Sequence, residues 1–163
     1  MAESGSSPAK EAALARFRDL GPGHLNCAQA VVHFASSVLG LSQDSVVVAR
    51  YFGGGLVRTG QVCGALSGCA ISLGLRDLHR GLTWPDGTSP DTEELQSLCR
   101  DFEATFGAMD CGDLVGYQIG TPDGYRRFKA DDKYEPCEQY VSWACDHLAD
   151  VLQAASSPPA ARP

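Results

Sequence analysis

Cysteine is the residue type in this sequence that is best suited to chemistry, and its seven copies fall into two groups. Four of them stand where the sequence predicts that a helix begins: Cys27, Cys63, Cys111 and Cys137. The N-terminus of a helix carries unpaired N–H groups and the positive end of the helix dipole, which stabilise a thiolate and lower the pKa of the thiol. Because the thiolate is the form that attacks substrates and binds metals, these four cysteines are predicted to form one shared site.

The other three cysteines, Cys69, Cys99 and Cys145, lie inside predicted helices, where cysteine usually behaves as a small apolar core residue. The four helix-start cysteines are separated by 36, 48 and 26 residues. This spacing lacks the Cys-x-x-Cys pairs of zinc ribbons and the dense cysteine runs of ferredoxins. A site made from them must therefore be assembled by tertiary folding, with one cysteine supplied by each element.

The elements that must position these cysteines are predicted to be helices, since apolar residues recur mainly at intervals of three and four. Helices are predicted over residues 8–20, 27–39, 44–52, 63–73, 90–106 and 136–152, with two short ones near 111 and 121. Asn26 and Ser89 are predicted N-caps, a strand is an alternative at 46–48, and residues 76–89 are predicted to be a polar loop. The expected fold is all-α: one compact domain of about six or seven helices over residues 9–153, with disordered ends at 1–8 and 154–163.

Several residues near the cysteines have both a functional and an ordinary interpretation. Gly64 and Gly68 lie four residues apart on one helical face, which permits close approach by another helix or by a cluster. The run at 53–55 resembles a phosphate-binding loop but lacks its Gly-Lys-Ser/Thr ending and preceding strand. His24 can polarise the thiol of the first cysteine or cap a helix, and Arg58 can hold the negative charge of a cluster or substrate or lie at the surface.

Composition excludes several classes of protein. With 44% hydrophobic and 20% charged residues the chain is globular, and a net charge of −7 argues against nucleic acid or an anionic membrane as its main partner. No apolar run is long enough for a membrane span, and residues 1–13 lack the apolar centre of a signal peptide. An odd and sparse cysteine count argues against a disulfide scaffold and favours a reducing, cytoplasmic setting. The acidic surface also predicts that an electron-transfer partner docks through a basic face.

A known family shares this cysteine pattern. The residues that carry the likeness are Asn26-Cys27-Ala28-Gln29-Ala30, Phe52-Gly53-Gly54-Gly55, Cys63-Gly64-Ala65-Leu66-Ser67-Gly68, Cys111 and Cys137. Over about residues 20–150 the chain resembles the C-GCAxxG-C-C family of redox-active proteins. The resemblance implies a small, mostly helical bacterial protein with a redox role. A related segment of split-Soret cytochromes is associated with an iron–sulfur centre, whereas no Cys-x-x-Cys-His haem motif occurs here.

The chain departs from the family pattern at one point. The family order is Gly-Cys-Ala-x-x-Gly, but the order here is Cys63-Gly64-Ala65 with the closing glycine at Gly68. In the alternative register, Gly68-Cys69-Ala70, the closing glycine comes one residue late, at Gly74. The family role is assigned to Cys63, which follows the glycine run and starts the helix, with Cys69 as the second candidate.

Three hypotheses follow for the four-cysteine site. In the first, all four hold a [2Fe–2S] or [4Fe–4S] cluster that transfers electrons or performs a redox step on a small substrate, so that the protein is an oxidoreductase or an electron carrier. In the second, a metal-free thiol–disulfide oxidoreductase uses two of them, with Cys27 and Cys63 as the catalytic candidates. In the third, the four cysteines bind structural zinc. In the redox hypotheses the partner is a redox protein or a small-molecule substrate. Helix faces made of small residues can also pack against a second copy, so a homodimer is a further possible assembly.

Overall fold

Eight helices account for most of the residues that the computed structural model describes, which are 7–81, 92–132 and 134–153. In chain order they are α1 (Pro8–Arg18), α2 (Cys27–Leu39), a 3₁₀ helix (Gln43–Ala49), α3 (Gly64–His79), α4 (Thr92–Phe106), α5 (Cys111–Val115), α6 (Pro122–Ala130) and α7 (Tyr134–Gln153). Within these residues, the only strand-like pairing is an isolated antiparallel bridge between Val62 and Asp110. The predicted all-α fold is confirmed, with eight helices instead of six or seven.

Helix α2 occupies the centre of the main core and packs against α1, the 3₁₀ helix, α3 and α7. Seven of its thirteen residues are buried, on more than one face, as expected for a helix surrounded by others. Helix α3 approaches α2 closely because Gly68 has no side chain: a Cβ at this position would lie 2.7 Å from the Cβ of Val31. The predicted close helix approach at Gly68 is therefore present between α2 and α3.

A second, smaller group of apolar residues packs around α5 and α6. Its buried members are Cys111, Val115, Ile119 and Phe128. The start of α7 packs against both groups through Tyr134 and Cys137. The molecule thus has a main core and a small second core that meet near the N-terminus of α7.

Local signals predicted α2 accurately. It begins at Cys27 after the predicted N-cap Asn26, and it ends at Gly40, whose φ of 67° is in the left-handed region that glycine adopts at little cost.

Other helix boundaries differ from the prediction. Helix α1 ends at residue 18 rather than 20, α7 begins at 134 rather than 136, and the segment after Ser42 is a 3₁₀ helix that ends at residue 49 rather than an α-helix or a strand.

The prediction of a loop from residue 76 onward was wrong for residues 76–79, which form the last turn of α3. Arg76 explains the difference, because its guanidinium is buried and pairs with Asp77 at 2.9 Å and with Glu94 at 2.7 Å. The polar sequence of this turn is therefore part of a buried ion-pair network between α3 and α4, not of a solvated loop. Residues 82–89 of the predicted loop and the predicted helix start at Ser89 and Pro90 lie outside the described residues.

The structure describes only two residues of the chain ends that were predicted to be disordered, Ser7 and Pro8. Ser7 caps α1 by accepting a hydrogen bond from the backbone N–H of Lys10, and Pro8 is the first residue of that helix. Residues 1–6 and 154–163, which make up the rest of the two ends predicted to be disordered, lie outside the described residues. In the part of the chain that the structure describes, no helix combines the length and the hydropathy that a membrane span needs.

Candidate functional site

The four helix-start cysteines line one cavity. Its volume is about 300 Å³, and it lies where the main core and the small second core meet. Cys27 begins α2, Cys63 is the N-cap residue of α3, Cys111 begins α5, and Cys137 lies in the first turn of α7. All four are free thiols. The structure therefore brings together the set that the sequence predicted, with one cysteine from each of four elements.

A capping box sets the position of Cys27. The side chain of Asn26 accepts a hydrogen bond from the backbone N–H of Gln29 at 3.0 Å, and the Gln29 side chain accepts one from the backbone N–H of Asn26 at 3.3 Å. The amide of Asn26 also donates to the backbone carbonyl of Arg50 at 2.9 Å. These bonds fix the first turn of α2, and with it Cys27, against the segment that follows the 3₁₀ helix.

Gly64 makes room for the sulfur of Cys27. A Cβ on Gly64 would lie 2.3 Å from the Cys27 Sγ atom and 2.9 Å from the backbone oxygen of Phe52, closer than atoms can pack. Backbone N–H groups of Gly54 and Gly64 stabilise negative charge on this sulfur. The missing side chain at Gly64 thus lets α3 begin directly against Cys27.

A short backbone bridge holds Cys63 next to Cys111. The backbone N–H of Cys63 donates to the carbonyl of Met109 at 2.8 Å, and that of Cys111 donates to the carbonyl of Gln61 at 2.8 Å. The N–H of Gly112 also donates to the carbonyl of Gly60 at 2.9 Å. Because the bridge pairs the residues just before α3 and α5, it brings the N-termini of both helices to the same cavity wall.

The segment between the 3₁₀ helix and Cys63 contains a left-handed turn. Five consecutive residues have positive φ: Gly54 (66°), Gly55 (66°), Leu56 (62°), Val57 (51°) and Arg58 (65°). The first two are glycines, but the three that follow carry side chains, and each such residue costs roughly 1–2 kcal/mol in this region. Two backbone bonds spanning the turn hold it, from the N–H of Val57 to the carbonyl of Tyr51 at 2.9 Å and from the N–H of Arg58 to the carbonyl of Gly53 at 3.1 Å. The glycine run is thus a strained turn in the cavity wall rather than a phosphate-binding loop.

This turn directs Arg58 towards aromatic residues of the cavity. The Arg58 guanidinium carbon lies 4.6 Å from the centre of the Tyr125 ring, and the Lys129 ammonium lies 4.8 Å from the same ring centre. The hydroxyls of Tyr125 and Tyr134 are 3.3 Å apart. Their mutual hydrogen bond lowers the pKa of Tyr125, whereas burial raises that of Tyr134.

The charged residues that line the cavity are cationic. Arg50 and Arg58 contribute to its lining, while no Asp or Glu of the described residues does. Within the described part of the chain, no carboxylate forms an ion pair with Arg58. The His24 ring packs against Phe17 and Tyr134 at centre distances of 6.1 and 6.4 Å. The cavity therefore differs in charge from the protein as a whole, whose net charge is −7.

Burial controls the protonation of the four thiols. It raises the pKa of Cys27, raises that of Cys63 well above its usual range, and raises that of Cys111 to about 12. Burial also raises the pKa of Cys137, and nearby thiols of the same cavity act in the same direction. The prediction that the helix N-termini would lower these pKa values was therefore wrong, because the loss of water around each sulfur is the largest effect on its pKa.

The remaining three cysteines lie elsewhere. Cys69 and Cys145 are fully buried in the main core, as predicted, whereas Cys99 is only partly buried and lines a separate shallow cavity between α3 and α4. Of the two candidates for the family position, Cys63 lines the four-cysteine cavity, and Cys69 lies farther along α3 in the core. In the described parts of the chain, no three or more His, Cys, Asp and Glu side chains are grouped to hold a metal ion.

Sequence reasoning missed four polar residues of the cavity: Arg50, Tyr125, Tyr134 and Tyr140. One signal in the sequence points to the first of them, since residues 45–75 contain two arginines and no Asp or Glu. No local signal points to Tyr134, because the packing of α7 against α6 is what brings its ring to the cavity.

Comparison with known proteins identifies the family. A family model described as "putative redox-active protein (C_GCAxxG_C_C)" matches residues 25–151, a range that contains all four cavity cysteines. Neither curated proteins nor solved structures gave a match to this chain. Since the matched residues make up more than half of the sequence and include the cavity, the chain belongs to the C_GCAxxG_C_C family of redox-active proteins.

Proposed function

We propose that Cys27, Cys63, Cys111 and Cys137 hold an iron–sulfur cluster and that the protein transfers electrons through it. The observation that carries the proposal is the convergence of four free thiols, from four separate elements, on one cavity. Iron–sulfur clusters are held by four cysteine thiolates. The other three cysteines lie outside this cavity, so the donor set matches the requirement in number as well as in kind.

The arrangement of the thiols favours a cluster over a single metal ion. A structural zinc ion needs four thiolates at about 2.3 Å from one point. Here the four thiols line a cavity of about 300 Å³, which is more room than one ion needs. Ligands that surround a space are what a cluster of several atoms requires.

The charges and dipoles of the cavity also suit a group with negative charge. Arg50 and Arg58 are at its wall, and backbone N–H groups of Gly54 and Gly64 stabilise negative charge on the Cys27 sulfur. Hydrogen bonds to cluster sulfurs and nearby positive charge raise the reduction potential of a cluster. The raised thiol pKa values mean that occupation of the site would displace protons from the cysteines.

A bound cluster would supply reversible one-electron transfer at this cavity. The chain's own residues bind and shield the site. The four cysteines act as ligands, and Gly64 leaves the space that the Cys27 sulfur needs. The rings of Phe17, Tyr134 and Tyr140 line the cavity and limit the access of water.

The test is a metal and sulfide analysis of protein purified without oxygen, combined with its visible absorption spectrum. We expect a brown protein with iron and acid-labile sulfide in stoichiometric amounts. Replacing any one of the four cavity cysteines by serine should lower the iron content and bleach the spectrum. The matched control is Cys99→Ser, which changes a partly buried cysteine away from the cavity and should leave both unchanged.

The same measurements separate the alternatives. Stoichiometric zinc with no visible colour would replace the cluster by a structural zinc site. A colourless, metal-free protein in which two cavity thiols form a reversible disulfide would indicate thiol–disulfide exchange instead. Four intact thiols with neither metal nor a reversible disulfide would contradict a redox centre at this cavity altogether.

A further inference from the structure

Exposed apolar side chains are concentrated in one short segment. Among the described residues, eight large apolar side chains are strongly exposed, and six of them fall within residues 47–62. These six, which we call the apolar rim, are Val47, Val48, Tyr51, Leu56, Val57 and Val62, with exposed fractions between 47% and 64%. Clustering of this kind on a folded protein marks a surface that contacts another molecule.

The apolar rim is held in place by the left-handed turn. The hydrogen bond from the Val57 N–H to the Tyr51 carbonyl brings the tip of the turn next to the end of the 3₁₀ helix. Leu56 and Val57 have φ values of 62° and 51°, and non-glycine residues held in this region cluster at functional sites. Both side chains are exposed despite the cost of this backbone conformation.

The apolar rim borders the four-cysteine cavity. Val57 belongs to the rim and also lines the cavity. Arg50 and Arg58, which adjoin the rim residues Tyr51 and Val57 in the chain, line the cavity as well. A molecule seated on the rim would therefore lie beside the cavity that the four cysteines line. This is the position that a partner needs if electrons are to pass between it and the site.

The chain segment that carries the apolar rim is basic, whereas the whole protein is acidic. Arg50 and Arg58 are the only charged residues from 45 to 75, while the full chain has a net charge of −7. A second copy of the chain packed symmetrically on the rim would place these arginines against each other, with no acidic residue of the segment to pair with them. An acidic partner meets neither difficulty, because its carboxylates would pair with both arginines.

We infer that the apolar rim, with Arg50 and Arg58, is the docking surface for an acidic electron-carrier protein. The inference rests on the proposed redox function of the adjacent cavity. In the reaction, the reduced carrier would lose one electron and the centre would gain one. This proposal differs from the expectation, drawn from the net charge, of a partner with a basic face.

The test is a binding titration of the full-length protein with a purified acidic flavodoxin as the probe, by calorimetry at low and at high salt. We expect binding at low salt that weakens as salt is added, since screening reduces the attraction between opposite charges. The double variant Val48→Ser/Tyr51→Ser should bind at least about fivefold more weakly, because exposed apolar and aromatic side chains supply much of the affinity of such contacts. Neither residue lines the cavity.

The matched control is Leu20→Ser/Leu78→Ser, which removes the two strongly exposed apolar side chains that lie outside the rim among the described residues. This variant should bind the flavodoxin as the wild type does. Equal binding by both double variants and the wild type would overturn the proposal, as would no binding of flavodoxin at low salt. A wild-type dimer that Val48→Ser/Tyr51→Ser converts to a monomer in sedimentation would assign the surface to a second copy instead.

Iron and sulfide are measured in the same samples, so the two proposals can fail separately. Loss of the expected iron with intact rim-dependent docking would contradict the cluster alone. A full complement of iron without rim-dependent docking would contradict the docking surface alone.

Discussion

At the scale of single residues, the role of each cysteine depends on its surroundings rather than on burial. Cys63 and Cys69 are both buried and lie six residues apart, yet the first lines the cavity from the N-cap of α3 and the second lies within the main core. The pattern of helix-start cysteines predicted this division. It could not predict the raised pKa values. These depend on burial where the main core and the small second core meet, and no residue near a given cysteine in the sequence indicates that burial.

Gly64 should be intolerant of any side chain. We expect Gly64→Ala to lower the free energy of unfolding by about 1–3 kcal/mol, since the new Cβ would overlap the Cys27 Sγ atom and the Phe52 carbonyl. Gly74→Ala is the control on the same helix. Its Cβ meets no atom within 4 Å, so helix propensity should raise stability by up to about 1 kcal/mol. Urea denaturation measures both, and equal effects would contradict the close packing at Gly64.

The buried thiols should make the metal-free protein sensitive to alkaline pH. An ordinary cysteine has a pKa of 9.0, and burial raises that of Cys111 to about 12. Between these values the unfolded chain loses the proton first, so the free energy of unfolding should fall as pH rises, by up to about 1.4 kcal/mol per pH unit for each such thiol. Urea denaturation on both sides of pH 9 should show a shallower slope in Cys111→Ser. An unchanged slope would mean that this thiol titrates normally.

At the scale of elements, local sequence signals succeeded where an element is stabilised locally. Asn26 and Gly40 bound α2 with capping interactions that lie within a few residues of each end. The last turn of α3 was missed because one partner of Arg76 is Glu94, 18 residues later in the chain. The left-handed turn was missed for a related reason, since Leu56 and Val57 oppose its backbone conformation.

The strain in the left-handed turn can be measured by two matched substitutions. Val57→Gly should raise the free energy of unfolding by up to about 1 kcal/mol, because glycine removes the steric cost of a φ of 51°. Val62→Gly removes a similarly exposed valine that lies outside the run of positive φ. It should lower stability by about 0.5–1 kcal/mol. Thermal or urea denaturation compares them, and a loss of stability in both would argue against strain at residue 57.

At the scale of the whole molecule, the cavity joins two cores. Cys27 and Cys63 belong to the main core, Cys111 to the small one around α5 and α6, and Cys137 touches both. The sequence predicted the helices and the four-cysteine set, but not this seam. The seam depends on α6 and α7 placing Tyr125 and Tyr134 opposite Arg58, which is a matter of tertiary packing.

Occupation of the site should therefore stabilise the small core more than the rest. We expect amide hydrogen exchange over residues 111–130 to slow markedly in the iron-loaded protein relative to the metal-free form, because ligands from both cores are then linked. Exchange in α4, which supplies no ligand, serves as the internal control. Equal protection of 111–130 in both forms would show that the two cores are already rigidly joined without metal.

The supply of one cysteine by each of four elements has a consequence for biosynthesis. A Cys-x-x-Cys pair can capture metal while the chain is still unfolded, but cysteines separated by 26 to 48 residues come together only after α2, α3, α5 and α7 have docked. If the site holds the proposed cluster, its insertion would therefore be a late event that acts on a folded polypeptide. Cells starved of iron would then accumulate a folded precursor that can still be filled when iron returns.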